Sequence, residues 1–253
     1  MDRKFAGLAK TATNKNAQTY DREDALRALC AMGTPEAARV LLKRFTFQID
    51  PTITDNEEKA LAFEGIVTAG TASVAAPGGE PASDERRAEQ RAVVVEAVRE
   101  FCRRAETLTW PLKVLRELLD DESYERELLE LLRGWDNEYV RNVEPKVNVL
   151  DALEEVVSPR VREAVAAYLG DVNETVRFHA VETTYKQGDR ACVPDLVRLV
   201  QEEESVRIKN KVAAGLAERG WTVPQELRER FAQAMTDVHE YRIKRDGTVA
   251  KAG

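Results

Sequence analysis

A short pattern recurs three times in the second half of the chain, and it constrains the fold more than any other feature. Residues 137–141 read Asn-Glu-Tyr-Val-Arg, residues 173–177 read Asn-Glu-Thr-Val-Arg, and residues 203–207 read Glu-Glu-Ser-Val-Arg. The copies begin 36 and 30 residues apart. Internal periods of this length are typical of helical solenoids, in which one repeat is too small to bury its apolar face alone.

Amphipathic helical patterns accompany these copies along most of the chain. Apolar residues recur at helical spacing, and Thr34-Pro35 and Ser158-Pro159 each place a capping residue before a proline, a typical helix start. No strand pattern precedes residue 238. We therefore predict six helix pairs. They are 21–33 with 34–45, 57–69 with 91–105, 112–119 with 124–132, 147–156 with 161–169, 174–186 with 192–200, and 206–217 with 225–235.

The repeat resembles a known family. The acidic-x-x-Val-Arg helix start, as in the segment Asp171 to Arg177 followed by Ala180, resembles HEAT repeats, as do the prolines near helix starts. The resemblance covers roughly residues 21–236. It implies an all-α fold, a right-handed α-solenoid of about six two-helix repeats. It implies little about function, because one fold can host many activities.

Three segments depart from the repeat. Residues 1–20 hold clustered Thr, Asn and Gln and are expected to form a flexible N-terminal arm. Residues 71–89 are Pro/Gly-rich without a period, so we expect a flexible insertion, either a disordered spacer or a partner-contacting loop. Residues 237–253 switch to period two around Asp246-Gly247, which predicts a small β-hairpin. The hairpin would either cap the last repeat or offer a strand edge to a partner.

Composition and charge argue against a membrane-spanning protein, a nonspecific nucleic-acid binder and a disulfide-rich protein. The chain is 43% hydrophobic with a net charge of −7, and no apolar run approaches the ~18 residues of a membrane span, so none is expected. Residues 1–50 carry a net charge of +3, and the remainder carries −10. An acidic body argues against nonspecific binding to nucleic acid. Three widely spaced cysteines do not form a disulfide framework, which favours a reduced, cytoplasmic protein.

The sequence contains no motif with an evident chemistry. No Gly-rich phosphate loop occurs, and two distant histidines with three unpaired cysteines do not match the ligand spacing of a structural zinc site. We therefore expect no catalytic residues, no cofactor and no metal. The cysteines are expected to be buried, inert thiols, and His179 to be structural or on the surface.

One charged cluster is the candidate partner-binding site. In HEAT-like solenoids the second helix of each pair lines the concave face, and here most of these helices alternate bases and acids at i,i+3 or i,i+4, as in a solvated, salt-bridged face. The N-terminal half keeps a basic excess. Its residues are Arg39, Lys43, Arg44, Arg99, Arg103 and Arg104.

Two functions remain open from the sequence. The first is a non-catalytic, protein-binding scaffold or adaptor that uses the solenoid groove. The alternative is a nucleic-acid-acting HEAT-like protein, similar in fold to the alkylpurine DNA glycosylases of this architecture. Only Trp110, Trp135 and the basic cluster support that alternative, so a nucleic-acid partner is the less favoured. An enzyme-associated module of the bilin-lyase type has no specific support.

Overall fold

The computed structural model describes residues 3–71, 83–135 and 139–252. In these residues the fold is all-α, with thirteen α-helices and one two-stranded sheet, as the sequence predicts. The helices are α1 (Arg3–Ala12), α2 (Thr19–Met32), α3 (Pro35–Leu42), α4 (Thr52–Thr71), α5 (Asp84–Cys102), α6 (Thr109–Leu118), α7 (Asp121–Arg133), α8 (Glu144–Leu153), α9 (Pro159–Ala166), α10 (Glu174–Lys186), α11 (Val193–Glu202), α12 (Val206–Arg219) and α13 (Arg228–Ala234). None of these helices is long and apolar enough to cross a membrane.

Local capping chemistry sets several of these boundaries. The side-chain oxygens of Thr34 and Ser158 accept hydrogen bonds from backbone amides at 3.3 and 3.2 Å, each ahead of a proline in the first turn of the helix. Gly33 and Gly220 end α2 and α12 in the left-handed conformation, which glycine adopts without steric strain. The Thr34-Pro35 and Ser158-Pro159 helix starts agree with the sequence, whereas α4 and α5 start at Thr52 and Asp84, before the predicted residues 57 and 91.

The chain forms two compact units, Met1–Tyr124 and Glu125–Gly253. In the first unit α4 is the central helix, because it packs against α2, α3, α5 and α6. Gly65 allows the close approach of α2, since a Cβ atom there would lie 2.3 Å from the Cys30 sulfur. Trp110 stacks on Phe45 with ring centroids 5.8 Å apart, so it contributes to packing within this unit.

The core of the first unit also contains an ionic network. Glu58 accepts hydrogen bonds from Arg22 and from Arg44, and all three side chains are at most 3% exposed. Arg44 also binds Asp55 at 2.7 Å, and Lys59 binds the other oxygen of Asp55 at 2.7 Å. Buried charges are tolerated only when they are paired and hydrogen-bonded. The network therefore ties α2 and the turn after α3 to α4.

In the second unit, three ion pairs join groups that lie 25 to 28 residues apart in the sequence. Lys146 pairs with Asp171 at 2.7 Å, Arg177 with Glu203 at 2.7 Å, and the Lys209 Nζ atom with Asp237 at 2.9 Å. We call these three pairs the ion-pair ladder. The second copy of the sequence pattern ends at Arg177 and the third begins at Glu203, so one of the three pairs joins consecutive copies. The Arg of the second copy and the first acid of the third are thus explained by packing of one helical unit on the next.

The C-terminal tail forms the expected hairpin. Strands β1 (Tyr241–Ile243) and β2 (Val249–Lys251) pair antiparallel, and Gly247 has a φ of 90° in the turn between them. Val249 is buried, and the hairpin packs against α12 and α13. Packing on these last two helices is the arrangement expected of a cap.

Two other segments differ from, or fall partly outside, their expected descriptions. Residues 3–12 form helix α1, which packs against α2 and buries Ala12, where the sequence analysis expects a flexible arm over residues 1–20. Its apolar face is short, yet contact with α2 is enough to cover it. Of the insertion expected at 71–89, residues 72–82 lie outside the described residues. The remainder is ordered, because Thr71 ends α4 and Ser83 caps α5.

Candidate functional site

The structure corrects one member of the predicted basic cluster. Arg44 is fully buried, and its guanidinium donates to Glu58 at 2.7 Å, to Asp55 at 2.7 Å and to the Phe47 carbonyl at 3.0 Å. It lies in the 3-10 turn Lys43–Thr46 and is directed at α4. Arg44 therefore stabilises the first unit and has no surface available for a partner.

The other five residues of the cluster lie on or just beyond α3 and α5, which pack against each other. Arg39, Lys43, Arg103 and Arg104 are exposed, and Arg99 is partly buried. Glu96 lies 3.5 Å from Arg99 and 3.9 Å from Arg103, so part of the positive charge is balanced. These bases also lie near the C-terminal ends of their helices, where cations complement the helix dipole. The cluster is thus weaker as a site than its sequence pattern indicates.

A groove in the second unit was not anticipated. It has a volume of about 490 Å³ and lies between the turn that follows α9, the start of α10, and α11 with the residues after it. Its apolar lining consists of Ala166, Ala167, Leu169, Gly170 and Leu199. Pockets that bind ligands are concave and have a mainly apolar lining with a few polar groups, at volumes of about 300–1,000 Å³. The groove matches such pockets in volume, but seven of its twelve lining residues are charged, so its lining is more polar.

Two acids of the groove belong to the ion-pair ladder. Asp171 is paired with Lys146 and also accepts a hydrogen bond from the Asn173 amide at 2.8 Å. Glu203 accepts two hydrogen bonds from Arg177, at 2.7 and 2.9 Å. Burial alone would raise the pKa of Glu203, but the hydrogen bonds from Arg177 and from the backbone outweigh burial and lower this pKa. Glu203 is therefore held in its charged form, and each of the two carboxylates already has a basic partner.

The remaining charges give the groove an excess of negative charge. Asp195 is paired with Arg198 at 3.2 Å. Glu202 and Glu204 are exposed, and in the described part of the chain their carboxylates have no hydrogen-bond or ion-pair partner. These two carboxylates, which we call the free rim acids, make the groove net negative. The acidic run 202–204 is evident in the sequence, but its spacing alone does not place it beside a groove.

A second charged cluster surrounds His179 on α10. The His179 Nδ1 atom lies 2.6 Å from Asp151 of α8, and Glu182 is 3.9 Å away. The hydrogen bond to Asp151 raises the pKa of His179, burial opposes the rise, and the charges of Asp151, Glu182 and Glu154 add to it. Lys211 of α12 pairs with Glu182 at 2.5 Å. His179 is thus held in an ion-pair network, in agreement with its expected structural role.

The cysteines and tryptophans are used in packing. Cys102 and Cys192 are buried and Cys30 is partly buried; burial raises the pKa of Cys30 and of Cys192 to about 11. Trp221 packs on Tyr185 with ring centroids 5.8 Å apart. Among the described residues, no group of three or more His, Cys, Asp or Glu side chains could hold a metal ion.

Comparisons with known proteins give no family. No family model matches the chain, and no curated protein matches it. One solved structure with some likeness comes from work titled "Computational Design of Self-Assembling Cyclic Protein Homooligomers". It shares 12% identity over 93% of this chain and 88% of that chain, with a TM-score of 0.19. A likeness of this size supports no conclusion about fold or function.

Proposed function

We propose that this chain is a HEAT-like, right-handed α-solenoid that serves as a non-catalytic, protein-binding adaptor in the cytoplasm. The solenoid arrangement is supported by the repeated Val-Arg pattern and by the ion-pair ladder, whose basic members Lys146, Arg177 and Lys209 lie 31 and 32 residues apart. Both spacings lie within the 30 to 36 residues that separate the sequence copies, as expected of stacked units of similar length.

The observation that carries the binding function is the groove of the second unit. It combines an apolar lining with charged side chains and is open to solvent, the combination used to hold a segment of a protein partner. The groove also lies where consecutive helical units meet, around Asp171 and Glu203. In repeat proteins such surfaces are the usual binding surfaces.

The nucleic-acid alternative has less support. Arg44 is removed from the basic cluster by burial, and Trp110 is engaged by Phe45, Phe63 and Lys113. The groove itself is net negative and would repel phosphates. We therefore place the partner-binding surface of this adaptor in the second unit.

Filling the groove without disturbing the core tests the proposal. A Cβ atom at Gly170 would meet nothing within 4 Å, so Gly170→Trp adds bulk to the groove in open space. Gly7→Trp is the matched control, because its Cβ is equally unobstructed and it lies in the first unit. We expect affinity capture with mass spectrometry to recover protein partners with the unmodified chain and with Gly7→Trp, and to lose them with Gly170→Trp.

The capture is run with and without nuclease. Partners that survive nuclease treatment and depend on Gly170 support the adaptor. Recovery of nucleic acid, or of partners that disappear with nuclease, would instead support the alternative. Equal capture by Gly170→Trp and the unmodified chain would exclude the groove as the binding site.

A further inference from the structure

We propose that the segment bound in the groove of the second unit is basic: an extended stretch of a partner protein that places Lys or Arg against Glu202 and Glu204. This inference rests on the proposed adaptor function and names the chemistry of the partner.

The available charge is negative and localised. The oxygens of Asp171 and Glu203 are engaged by Lys146 and Arg177, and Asp195 lies 3.2 Å from Arg198. Among the acids of the groove, the free rim acids are the two that remain available to a partner. They lie two positions apart, one at the last residue of α11 and the other just after it. Glu202 faces the negative end of the α11 dipole, so a cation supplied by a partner would be favourable there. Glu204 lies two residues before α12, where it complements the start of that helix.

The rest of the lining limits the shape of the partner. Leu169 and Leu199 are at most 7% exposed, and Ala166, Ala167 and Gly170 present little side-chain bulk. Small side chains let a backbone approach closely, while the long stems of Lys and Arg can cover apolar surface and carry their charge to the rim. A segment that alternates basic and small residues fits both requirements.

Charge complementarity separates this partner from the alternatives. An acidic peptide or a nucleic acid would add negative charge beside the free rim acids, at an energetic cost. Electrostatic complementarity of this kind mainly sets specificity and association rate. Because salt screens the attraction between exposed charges, binding should weaken as salt is added.

The test measures binding of two labelled ten-residue peptides by fluorescence anisotropy. One alternates Arg and Ala, and the other replaces each Arg by Glu. The double variant Glu202→Gln/Glu204→Gln removes the two charges at constant volume. The control Glu226→Gln/Glu229→Gln removes two charges from exposed positions of the same unit outside the groove.

We expect the unmodified chain to bind the Arg peptide and not the Glu peptide, with affinity falling between 50 and 300 mM salt. Each exposed ion pair contributes modestly, so the groove variant should bind about 2- to 30-fold more weakly and the control within about 2-fold. Gly170→Trp should also abolish binding. Equal loss in both double variants would show general attraction to an acidic surface and overturn the proposal.

The outcome separates this inference from the adaptor function. If partners are captured through the groove in a Gly170-dependent manner but the Arg peptide does not bind, the basic chemistry is wrong and the adaptor function stands. If captured partners are indifferent to Gly170, the adaptor site is wrong as well. Self-association that is lost in the groove variant, measured by light scattering, would show a second copy as the occupant and would overturn the proposed partner.

Discussion

The buried ionic network predicts that neutralising Glu58 will destabilise the first unit strongly. Glu58→Gln keeps the side-chain volume but removes the charge that balances Arg22 and Arg44. In the native unit Arg22 reaches Glu58 at 2.8 Å through both Nε and Nη2, and Arg44 reaches it at 2.7 Å. A glutamine amide offers one acceptor oxygen in place of two, and its NH2 group would face the remaining donors.

The magnitude follows from burial. Removing one partner of a buried ion pair costs about 3–5 kcal/mol. In Glu58→Gln this cost falls on Arg22, which is buried without another counterion in the described network, while Arg44 keeps its pair with Asp55. With a urea slope of about 2 kcal/mol per molar, the unfolding midpoint should fall by roughly 1.5–2.5 M. The matched control is Glu23→Gln, which removes the 2.5 Å pair with Arg27 at side chains 41% and 63% exposed. An exposed i,i+4 pair contributes only about 0.3–0.5 kcal/mol.

The assay must report on one unit at a time. Pulsed hydrogen exchange with mass spectrometry across a urea series follows peptides from α2 and α4, with peptides from α10 as a reference in the second unit. We expect the midpoint for α2 and α4 to fall in Glu58→Gln and to stay nearly constant in Glu23→Gln. A loss for Glu58→Gln no larger than that of the control would refute the view that the network depends on this carboxylate.

Three further predictions concern single positions. Because Asp151 raises the pKa of His179, protonated His179 stabilises the second unit fully below the unfolded value near 6.5, and this contribution is lost as pH rises through the raised folded pKa. NMR titration should give His179 a pKa above 6.5, and Asp151→Asn should lower that pKa. An unchanged His179 pKa in Asp151→Asn would contradict the ion pair. Gly65→Ala should destabilise the first unit by about 1–3 kcal/mol through contact with the Cys30 sulfur, and Cys30→Ala should recover part of the loss in urea unfolding. Cys30 should react slowly with a thiol reagent at pH 8 because its pKa is about 11, and labelling as fast as that of a free thiol would contradict this value.

Features set by local chemistry were predictable from the sequence. The helix starts at Thr34-Pro35 and Ser158-Pro159 depend on one side chain and a neighbouring proline. The hairpin depends on Asp246-Gly247, where Gly247 adopts a positive φ. Each of these requires only a few adjacent residues, so the pattern was enough.

Features set by tertiary contacts could not be predicted from the sequence. Lys43 and Arg44 are adjacent and both positively charged, yet only Arg44 is buried, because it forms ion pairs with Asp55 and Glu58 on α4. A signal was available in α4: Asp55 and Glu58 share a helical face with Ala62, so acids occupy core-facing positions. Acids on an apolar face predict basic partners in the core.

The groove could not be predicted from the sequence either, because it too depends on tertiary contacts. The acidic run 202–204 is evident in the sequence, but its neighbours across the groove, such as Gly170 and Asp171, lie about 30 residues earlier. Their proximity depends on how one helical unit packs on the next. Periodicity predicts that such units stack, and it does not fix the shape of the surface they enclose.

Site-specific photocrosslinking tests the central claim most directly. A photoreactive phenylalanine analogue is placed at position 198, where the native Arg198 side chain lines the groove and is 69% exposed, so the analogue can reach a bound segment from the rim. The same analogue at Gly7 in the first unit is the control. We predict protein adducts at position 198 that survive nuclease and are competed by the Arg-Ala peptide, with none of these adducts at position 7. Adducts at position 7 alone, or adducts at position 198 only to nucleic acid, would contradict a protein-binding groove in the second unit.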